Sequence, residues 1–318
     1  MKITTIFKLF PELIIIPCFV FFFVFNPQPV QAQESGSQGQ AARYSEDDLA
    51  QMLAPIALYP DVLLSQILMA STFPIEVVEA DRWLRENRGL TGDVFDGELV
   101  NKKWDPSVKA LCHFPSNLAL MSERIVETTN LGSAFFAQGT EVMGMIQKLR
   151  SGAYGQGNLK TTTEQKVIVE NETITIKPTN PRAVYAPYYD PYYIYGPGWW
   201  SPGYAPYYWV PAGVNVGFGI SFLPDVYYGN ALSNRNCFDS NPRYVCIDLH
   251  KRPRFVRHDR WITTSGRWRQ TPRHRMGVFY RDMGTAGKYG HSFRRPMFFR
   301  HDVGWDPNYH RLEQIMLP

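Results

Sequence analysis

The sequence predicts an α+β protein that begins with an N-terminal bundle of six or seven short helices. Between residues 44 and 152, apolar residues recur every three or four positions, which is the period of an amphipathic helix. From residue 165 onward they alternate with polar residues, as in a half-buried strand. A small antiparallel β segment and an irregular basic C-terminal region are therefore expected to complete the 318-residue chain.

Residues 1–32 have the layout of a cleaved signal peptide. Lys2 and Lys8 precede 13 almost uninterrupted apolar residues, and the small residues Val30 and Ala32 precede the expected cleavage point. The apolar run is shorter than the roughly 20 residues that a transmembrane helix needs. Export is the prediction, and an uncleaved N-terminal anchor is the alternative.

Residues 33–43 are rich in Gln, Ser and Gly and predict a disordered leader before the helical domain, residues 44–152. Ser45, with Asp48 three residues on, resembles a helix start. Pro74 suits the first turn of a helix, and Asp105 followed by Pro106 predicts an N-cap and a first helical residue. Gly152 to Gly157 is interpreted as a linker because it holds three glycines.

The β segment is expected over residues 158–228. Val167 and Val169 alternate toward Asn171, and Ile174 and Ile176 alternate away from it, which predicts a hairpin. A third extended segment, AVYAPYY, is expected after it, and GVNVGFGISF is interpreted as a further strand.

A tract rich in Tyr, Trp and Pro runs through this segment, with 12 Tyr or Trp among the 25 residues from Tyr185 to Trp209. Aromatic rings stack on the apolar faces of sugars, so a ligand-binding surface is one hypothesis. The other is that the tract packs on its own domain. The candidate contact residues are Trp199, Trp200, Tyr204 and Trp209.

The C-terminal region, residues 229–318, is basic and aromatic and is expected to be partly disordered. From Asn241 to Pro318 there are 16 Lys and Arg against 6 Asp and Glu, a balance of +10 in a chain of net charge +4. Arg252, Arg254 and Arg257 lie between aromatic residues and are candidate contacts for an anionic polymer. Export argues against nucleic acid as the partner, whereas an envelope polymer, an envelope protein or a membrane surface remains open. The alternative is that this face contacts solvent or the protein's own acidic half.

Export also favours pairing of cysteines. Cys237 and Cys246 lie nine residues apart around an Asn-Pro turn and predict a loop-closing disulfide. Cys112 is then left over, and its apolar helical context predicts a buried, inert thiol.

No catalytic or metal-binding residues are assigned, and no cofactor is expected. Cys112 and His113 are neighbours on a helix and point apart, so they do not form a nucleophile and base. Glu76, Glu79 and Asp81 crowd one helix, and their interpretation is a solvated face on which Asp81 pairs with Arg85. The six histidines beyond residue 241 lack short metal-ligand spacing.

Several phrases occur in an order that resembles the bacterial family called domain of unknown function 3300. They are MLAPIALYPDVLLSQILMAS, FPIEVVEADRWL, WDPSVKALCHFP, GNLKTT and VYAPYYDPYYIYG, followed much later by HRMGVFYRD around His274 to Asp282. The resemblance implies an exported envelope protein of Gram-negative bacteria, in the periplasm or cell envelope, and it brings no established activity or catalytic residues. Residues 112–113 depart from the usual family wording, which counts against a shared Cys–His nucleophile.

Taken together, these features favour a non-enzymatic binding or interaction protein for envelope polymers or proteins. The alternative is a hydrolase that acts on envelope glycan or peptide. Carboxylates or His side chains within hydrogen-bond reach in a pocket would favour the hydrolase.

Overall fold

A computed structural model describes residues 43–180, 183–228, 238–239, 244–247, 266–267, 270, 272–281 and 283–289, all within one structural unit. The predicted signal peptide and nearly all of the predicted leader lie outside these ranges.

Eight helices follow one another between Glu46 and Gly155, where every residue is described. They are α1 (Glu46–Leu53), α2 (Asp61–Ala70), α3 (Pro74–Glu86), α4 (Gly92–Asn101), α5 (Pro106–Leu111), α6 (Pro115–Glu123), α7 (Ile125–Ala137) and α8 (Gly139–Gly155). The α+β class and the helical N-terminal region are thus confirmed. Because α8 runs on to Gly155, the first glycines of the predicted linker are helical.

The remaining described elements are two to eight residues long. They are the strands β1 (Gln165–Glu170), β2 (Thr173–Pro178) and β3 (Ala183–Tyr188), helix α9 (Pro191–Ile194), strands β4 (Ser221–Tyr228), β5 (Phe238–Asp239), β6 (Tyr244–Ile247) and β7 (Gly266–Arg267), a 3-10 helix (Pro272–Arg275) and helix α10 (Met283–Tyr289).

Helices α1 and α5 begin where a side chain accepts a hydrogen bond from an amide of the first turn, and α3 begins at a proline. Ser45 and Asp48 form a reciprocal capping box before α1, with Asp48 in the place that Glu or Gln usually takes. Asp105 caps α5 by accepting from the amide of Ser107, and Pro106 follows as its first residue. Pro74 likewise begins α3, because a first-turn residue needs no amide hydrogen.

Helix α2 lies at the centre of the bundle, and all ten of its residues are buried. A helix that is buried on every side has little amphipathic periodicity, which explains its nearly continuous apolar sequence. Arg150 of α8 reaches this core with a fully buried side chain. It pairs with Asp61 at 2.7 Å and so joins α8 to the start of α2.

The hairpin is confirmed. Strands β1 and β2 pair antiparallel, with Val167 opposite Ile176 and Val169 opposite Ile174. Asn171 and Glu172 both have positive φ angles, of 46° and 64°, which matches the twist of a two-residue hairpin turn. Gln147 of α8 attaches the hairpin to the bundle through two hydrogen bonds to the backbone of Ile174.

The third extended segment is also confirmed as β3, but its partner is β4 rather than the hairpin. The strand predicted over GVNVGFGISF is mostly wrong, since extended pairing begins only at Ser221. Gly213 and Gly217 have φ angles of 82° and 55°, so the chain turns there instead of extending.

No single helix within the described ranges is long and apolar enough to span a membrane, although α2 and α3, bent by 110°, meet that test of length and composition as a pair.

Candidate functional site

The aromatic tract begins inside the core. Tyr188 and Tyr189 at the end of β3 are almost fully buried. The Tyr189 hydroxyl donates to the Ala54 carbonyl at 2.9 Å and accepts from the Leu58 amide at 3.1 Å. Burial raises the pKa of the Tyr189 hydroxyl above its ordinary value, so it stays protonated and available as a donor. These tyrosines therefore fix the start of the tract against the turn between α1 and α2.

Helix α9 turns the chain outward directly afterwards. Asp190 accepts from the amide of Tyr192 at 2.9 Å and so caps this short helix. Ile194 faces the core, while Tyr192 and Tyr193 are 43% and 51% exposed. Asn158, which follows α8, donates to the Ile194 carbonyl at 2.8 Å and holds the helix in place.

The later part of the tract returns to α1. The Gln51 side chain donates to the Ala205 carbonyl at 2.6 Å, and the Gln51 carbonyl accepts from the Tyr207 amide at 3.1 Å. The Ser201 hydroxyl donates to Asp47 at 2.8 Å. Hydrogen bonds from α1 to Ser201 and to Ala205 therefore hold the tract on the bundle.

Five aromatic side chains of this tract and of the segment after it form two groups, which together we call the aromatic surface: Tyr192 with Trp199 and Trp200, and Tyr193 with Phe218. Tyr192 and Trp200 are edge to face at 5.1 Å between ring centroids, and Tyr193 and Phe218 are edge to face at 4.7 Å. Phe218 is 78% exposed. Edge-to-face pairs fix the rings at steep angles to one another, so the surface is contoured rather than flat.

The predicted contact residues have different fates. Trp199 and Trp200 are half-buried members of the aromatic surface, and Tyr204 is half-buried nearby in sequence. Trp209 is only 4% exposed and belongs to the core, so it lies beneath the surface and not on it. The sequence does not distinguish Trp209 from Trp199 and Trp200, because burial within an aromatic tract depends on which way the chain turns. The remaining candidates, Arg252, Arg254 and Arg257, lie outside the described residues.

A second cluster joins two segments that are 198 residues apart in sequence. His274 Nδ1 lies 2.6 Å from Oε1 of Glu76 on α3. The other oxygen of Glu76 accepts from the amide of Asp105 at 2.6 Å, and Glu76 is fully buried. The solvated interpretation of Glu76 is therefore wrong, whereas the predicted ion pair of Asp81 with Arg85 is confirmed at 2.9 Å. The one sequence signal for burial of Glu76 is the apolar run FPI directly before it.

Burial raises the pKa of the Glu76 carboxyl, and the contacts with His274 and the Asp105 amide oppose that rise. Burial likewise raises the pKa of Asp105, although its helix-capping bonds to Ser107 oppose this. Both Glu76 oxygens are thus engaged, and the more exposed partner is His274, whose side chain is 29% exposed. The arrangement can orient the His274 ring, and it ties residues 272–281 to α3.

Cys112 and His113 face different partners. The Cys112 thiol faces the Val108 carbonyl at 3.5 Å, while His113 Nε2 lies 3.2 Å from Asp96. Burial raises the pKa of the Cys112 thiol and lowers the pKa of His113 to about 4. Within the described part of the chain, no group of three or more His, Cys, Asp or Glu side chains is placed to hold a metal ion.

The structure describes only part of the predicted Cys237–Cys246 disulfide. Cys237 lies outside the described residues, and for Cys246 only the backbone in β6 is described. Strands β5 and β6 pair antiparallel with Phe238 opposite Val245, the residues immediately inside the two cysteines in the chain. The disulfide stays a prediction.

Comparison with known proteins identifies relatives but no activity. Residues 45–271 match the family described as "Protein of unknown function (DUF3300)". The chain is also similar to "Uncharacterized protein YacH" of Escherichia coli (strain K12), with 38% identity over 200 residues that cover 53% of this chain and 32% of that protein. The chain therefore spans about a third of the length of this curated relative. No solved structure matches it. Because the family match extends over more than half of the chain, the protein belongs to the DUF3300 family.

Proposed function

We propose that the protein is an exported cell-envelope protein that binds an envelope glycan without altering it chemically, and that the aromatic surface makes the contact. The observation that carries the proposal is that Tyr192, Tyr193 and Phe218 are exposed while Trp199 and Trp200 are half-buried. Hydrogen bonds at Ile194 and Ala205 fix the tract that carries all of them except Phe218. Export is supported by the signal-like pattern of residues 1–32.

Ring stacking explains why a sugar polymer suits this surface. The faces of Tyr, Trp and Phe rings pack against the apolar C–H faces of pyranoses, and tyrosine hydroxyls add hydrogen bonds. Aromatic side chains also lose little conformational entropy on binding when their backbone is already ordered. Here the short capped helix α9 and the contacts with α1 supply that order.

Charge supplies the second part of the proposal. Residues 241–318 carry a balance of +10, and peptidoglycan peptides carry carboxylates. Arg252, Arg254 and Arg257 are the proposed contacts for these anions. Because ionic contacts at an exposed surface are screened, this part of the affinity falls steeply as salt rises.

Cosedimentation with purified peptidoglycan sacculi tests the proposal. Phe218→Ala and Trp200→Ala are expected to weaken binding by about tenfold, since each removes a stacking ring. Phe279→Ala is the matched control, because Phe279 is 77% exposed against 78% for Phe218 but lies in a different segment. If Phe218→Ala and Phe279→Ala bind sacculi equally well, the aromatic surface does not make the contact.

The arginines are tested separately. Replacement of Arg252, Arg254 and Arg257 together by Gln is expected to weaken binding at low salt and to flatten its salt dependence. Binding that is unchanged by the triple substitution contradicts the ionic contribution, while leaving the stacking contribution to its own test.

The Glu76–His274 pair favours a second candidate function, a hydrolase of envelope glycan or peptide. A carboxylate that orients an imidazole is the arrangement of a general base, and the 29% exposed side chain of His274 is its accessible end. The same sacculi distinguish the two candidates. Release of soluble fragments by the protein, lost in His274→Gln, establishes the hydrolase; binding without release supports the binding protein.

A further inference from the structure

A tight turn at residues 275–278 and the residue directly after it display two apolar side chains to solvent. The Val278 amide donates to the Arg275 carbonyl at 3.1 Å, which closes the turn. Its central residues, Met276 and Gly277, both have positive φ angles, of 49° and 81°. Such a turn is the primed type, which normally has Asn, Asp or Gly at these positions because an L side chain is strained there. Met276 therefore occupies a position that its own conformational preferences oppose.

Arg275 holds this strained turn in place. It is only 2% exposed, and its guanidinium donates to the carbonyls of Val278 at 2.8 Å and Phe279 at 2.8 Å within the turn. A third bond, to the Thr72 carbonyl at 3.1 Å, anchors the turn to the junction between α2 and α3. The Tyr280 ring lies 4.5 Å from the guanidinium and covers it. Strain of this kind persists only where neighbouring contacts over-determine the backbone, and it is concentrated at functional sites.

The result is an outward-facing apolar tip. Phe279 is 77% exposed and Met276 is 45% exposed, although both are large apolar side chains. A single exposed apolar residue is ordinary on a protein surface. Two of them on a turn fixed by a buried arginine are not explained by folding, because the same turn would form more easily with Asn or Gly in place of Met276.

Exposed cations follow this tip in the sequence. Arg281 is exposed, with its guanidinium 4.2 Å from the ring of Tyr44, and Lys288 on α10 is also exposed. Between residues 272 and 289 the sequence has four Lys or Arg and one Asp. Apolar residues that project between cations are the pattern by which peripheral proteins enter the boundary between lipid headgroups and acyl chains.

We propose that the turn formed by Arg275, Met276, Gly277, Val278 and Phe279 docks the protein on an anionic lipid bilayer, with Phe279 and Met276 inserted at the headgroup level and Arg281 and Lys288 against lipid phosphates. The charge of residues 241–318 favours an anionic surface over a neutral one. The surface is separate from the aromatic surface of the proposed function, so either proposal can fail alone.

Flotation of the exported chain with vesicles, after the predicted cleavage behind Ala32, tests the proposal. Vesicles of phosphatidylethanolamine with phosphatidylglycerol are compared with vesicles of phosphatidylcholine alone, and stronger binding to the anionic vesicles is expected. Phe279→Ala is expected to weaken binding to the anionic vesicles by about five- to tenfold. Phe218→Ala, which removes an equally exposed ring elsewhere, is expected to bind like the unaltered protein. Because residues 1–32 are absent from every variant, the apolar N-terminal segment does not contribute to vesicle binding.

Met276→Gly separates docking from folding. Glycine adopts positive φ without strain, so this variant is expected to unfold at a higher urea concentration while it binds anionic vesicles more weakly. Opposite signs for stability and binding are the result that a merely structural turn does not produce. The proposal is overturned if Phe279→Ala and Phe218→Ala bind anionic vesicles equally, or if phosphatidylcholine vesicles are bound as well as anionic ones.

Discussion

Replacement of Arg150 by Met is expected to destabilise the protein more than removal of any exposed cation. The Arg150 side chain is fully buried and faces Asp61 at 2.7 Å. It also donates to the carbonyls of Ala57 at 2.8 Å, Tyr59 at 3.0 Å and Ile174 at 2.8 Å. One guanidinium thus joins α8, the α1–α2 connection, the start of α2 and the hairpin.

The expected cost is about 3–5 kcal/mol near neutral pH, because Met leaves a buried carboxylate without its counter-charge. The carbonyls of Ala57, Tyr59 and Ile174 lose their donors as well. The range of about 3–5 kcal/mol already includes the loss of such hydrogen bonds, so no further cost is added. Replacing Asp61 by Asn in the same chain removes the stranded charge, so Arg150→Met with Asp61→Asn is expected to recover part of the stability.

The pH dependence has a definite sign. Burial raises the pKa of Asp61 above 3.8 even with Arg150 present, since the contacts with Arg150 only oppose that rise. Without Arg150 the pKa of folded Asp61 rises further. A carboxyl whose pKa is raised by folding favours the folded state below its unfolded pKa, and this advantage is lost as pH rises through the folded pKa. The penalty of Arg150→Met is therefore largest near neutral pH and smaller at about pH 4.

Urea denaturation followed by circular dichroism measures these differences at both pH values. Arg85→Met is the matched control, because Arg85 also pairs with an aspartate but its side chain is 51% exposed. That exposed pair is expected to contribute about 0–1 kcal/mol. The reasoning is refuted if Arg150→Met costs no more than Arg85→Met, or if its penalty is the same at both pH values.

Three further predictions concern packing and cysteine chemistry. Gly132→Ala is expected to lower the free energy of unfolding by about 1–3 kcal/mol, because its Cβ would lie 2.1 Å from the Ser71 carbonyl oxygen. Gly97→Ala, in open space on a helix, is expected to raise it by about 0.5–1 kcal/mol. Thermal melts in which Gly132→Ala is the more stable variant contradict this packing. The Cys112 thiol, 2% exposed and with its pKa raised by burial, is expected to resist iodoacetamide in the native protein at mildly alkaline pH and to react in urea, as peptide mass spectrometry can show; rapid native labelling would mean that this region opens. Non-reduced peptides of exported protein are expected to contain Cys237 joined to Cys246, since β5 and β6 pair just inside them, and finding both thiols reduced makes the disulfide wrong.

Local signals in the sequence were sufficient for the beginnings of helices and for the hairpin. Ser45, Asp105 and Pro74 satisfy or lack backbone donors within a few residues of themselves, so their role needs no distant partner. Alternation about Asn171 likewise reports a pairing between neighbouring segments. The family resemblance rests on the same kind of local wording and is confirmed over residues 45–271.

Pairing between distant segments was beyond such signals. The sequence predicted a third extended segment over AVYAPYY but not that β4 would be its partner. Likewise, the carboxylates of α3 suggested a solvated face, yet Glu76 is buried because His274 and the Asp105 amide supply its hydrogen bonds. Side-chain type predicts exposure only on average, and a charged group can be buried wherever the fold brings it partners.

Hydrophobic period and capping are properties of short stretches of chain, so they were enough to predict an α+β protein with a helical N-terminal region. Which aromatic residues face outward depends instead on the fold as a whole. Trp209 and Phe218 lie nine residues apart in one Gly- and Pro-rich segment, yet one is 4% and the other 78% exposed. The difference arises because Trp209 packs into the hydrophobic core and Phe218 does not, and no local pattern in the segment encodes such contacts.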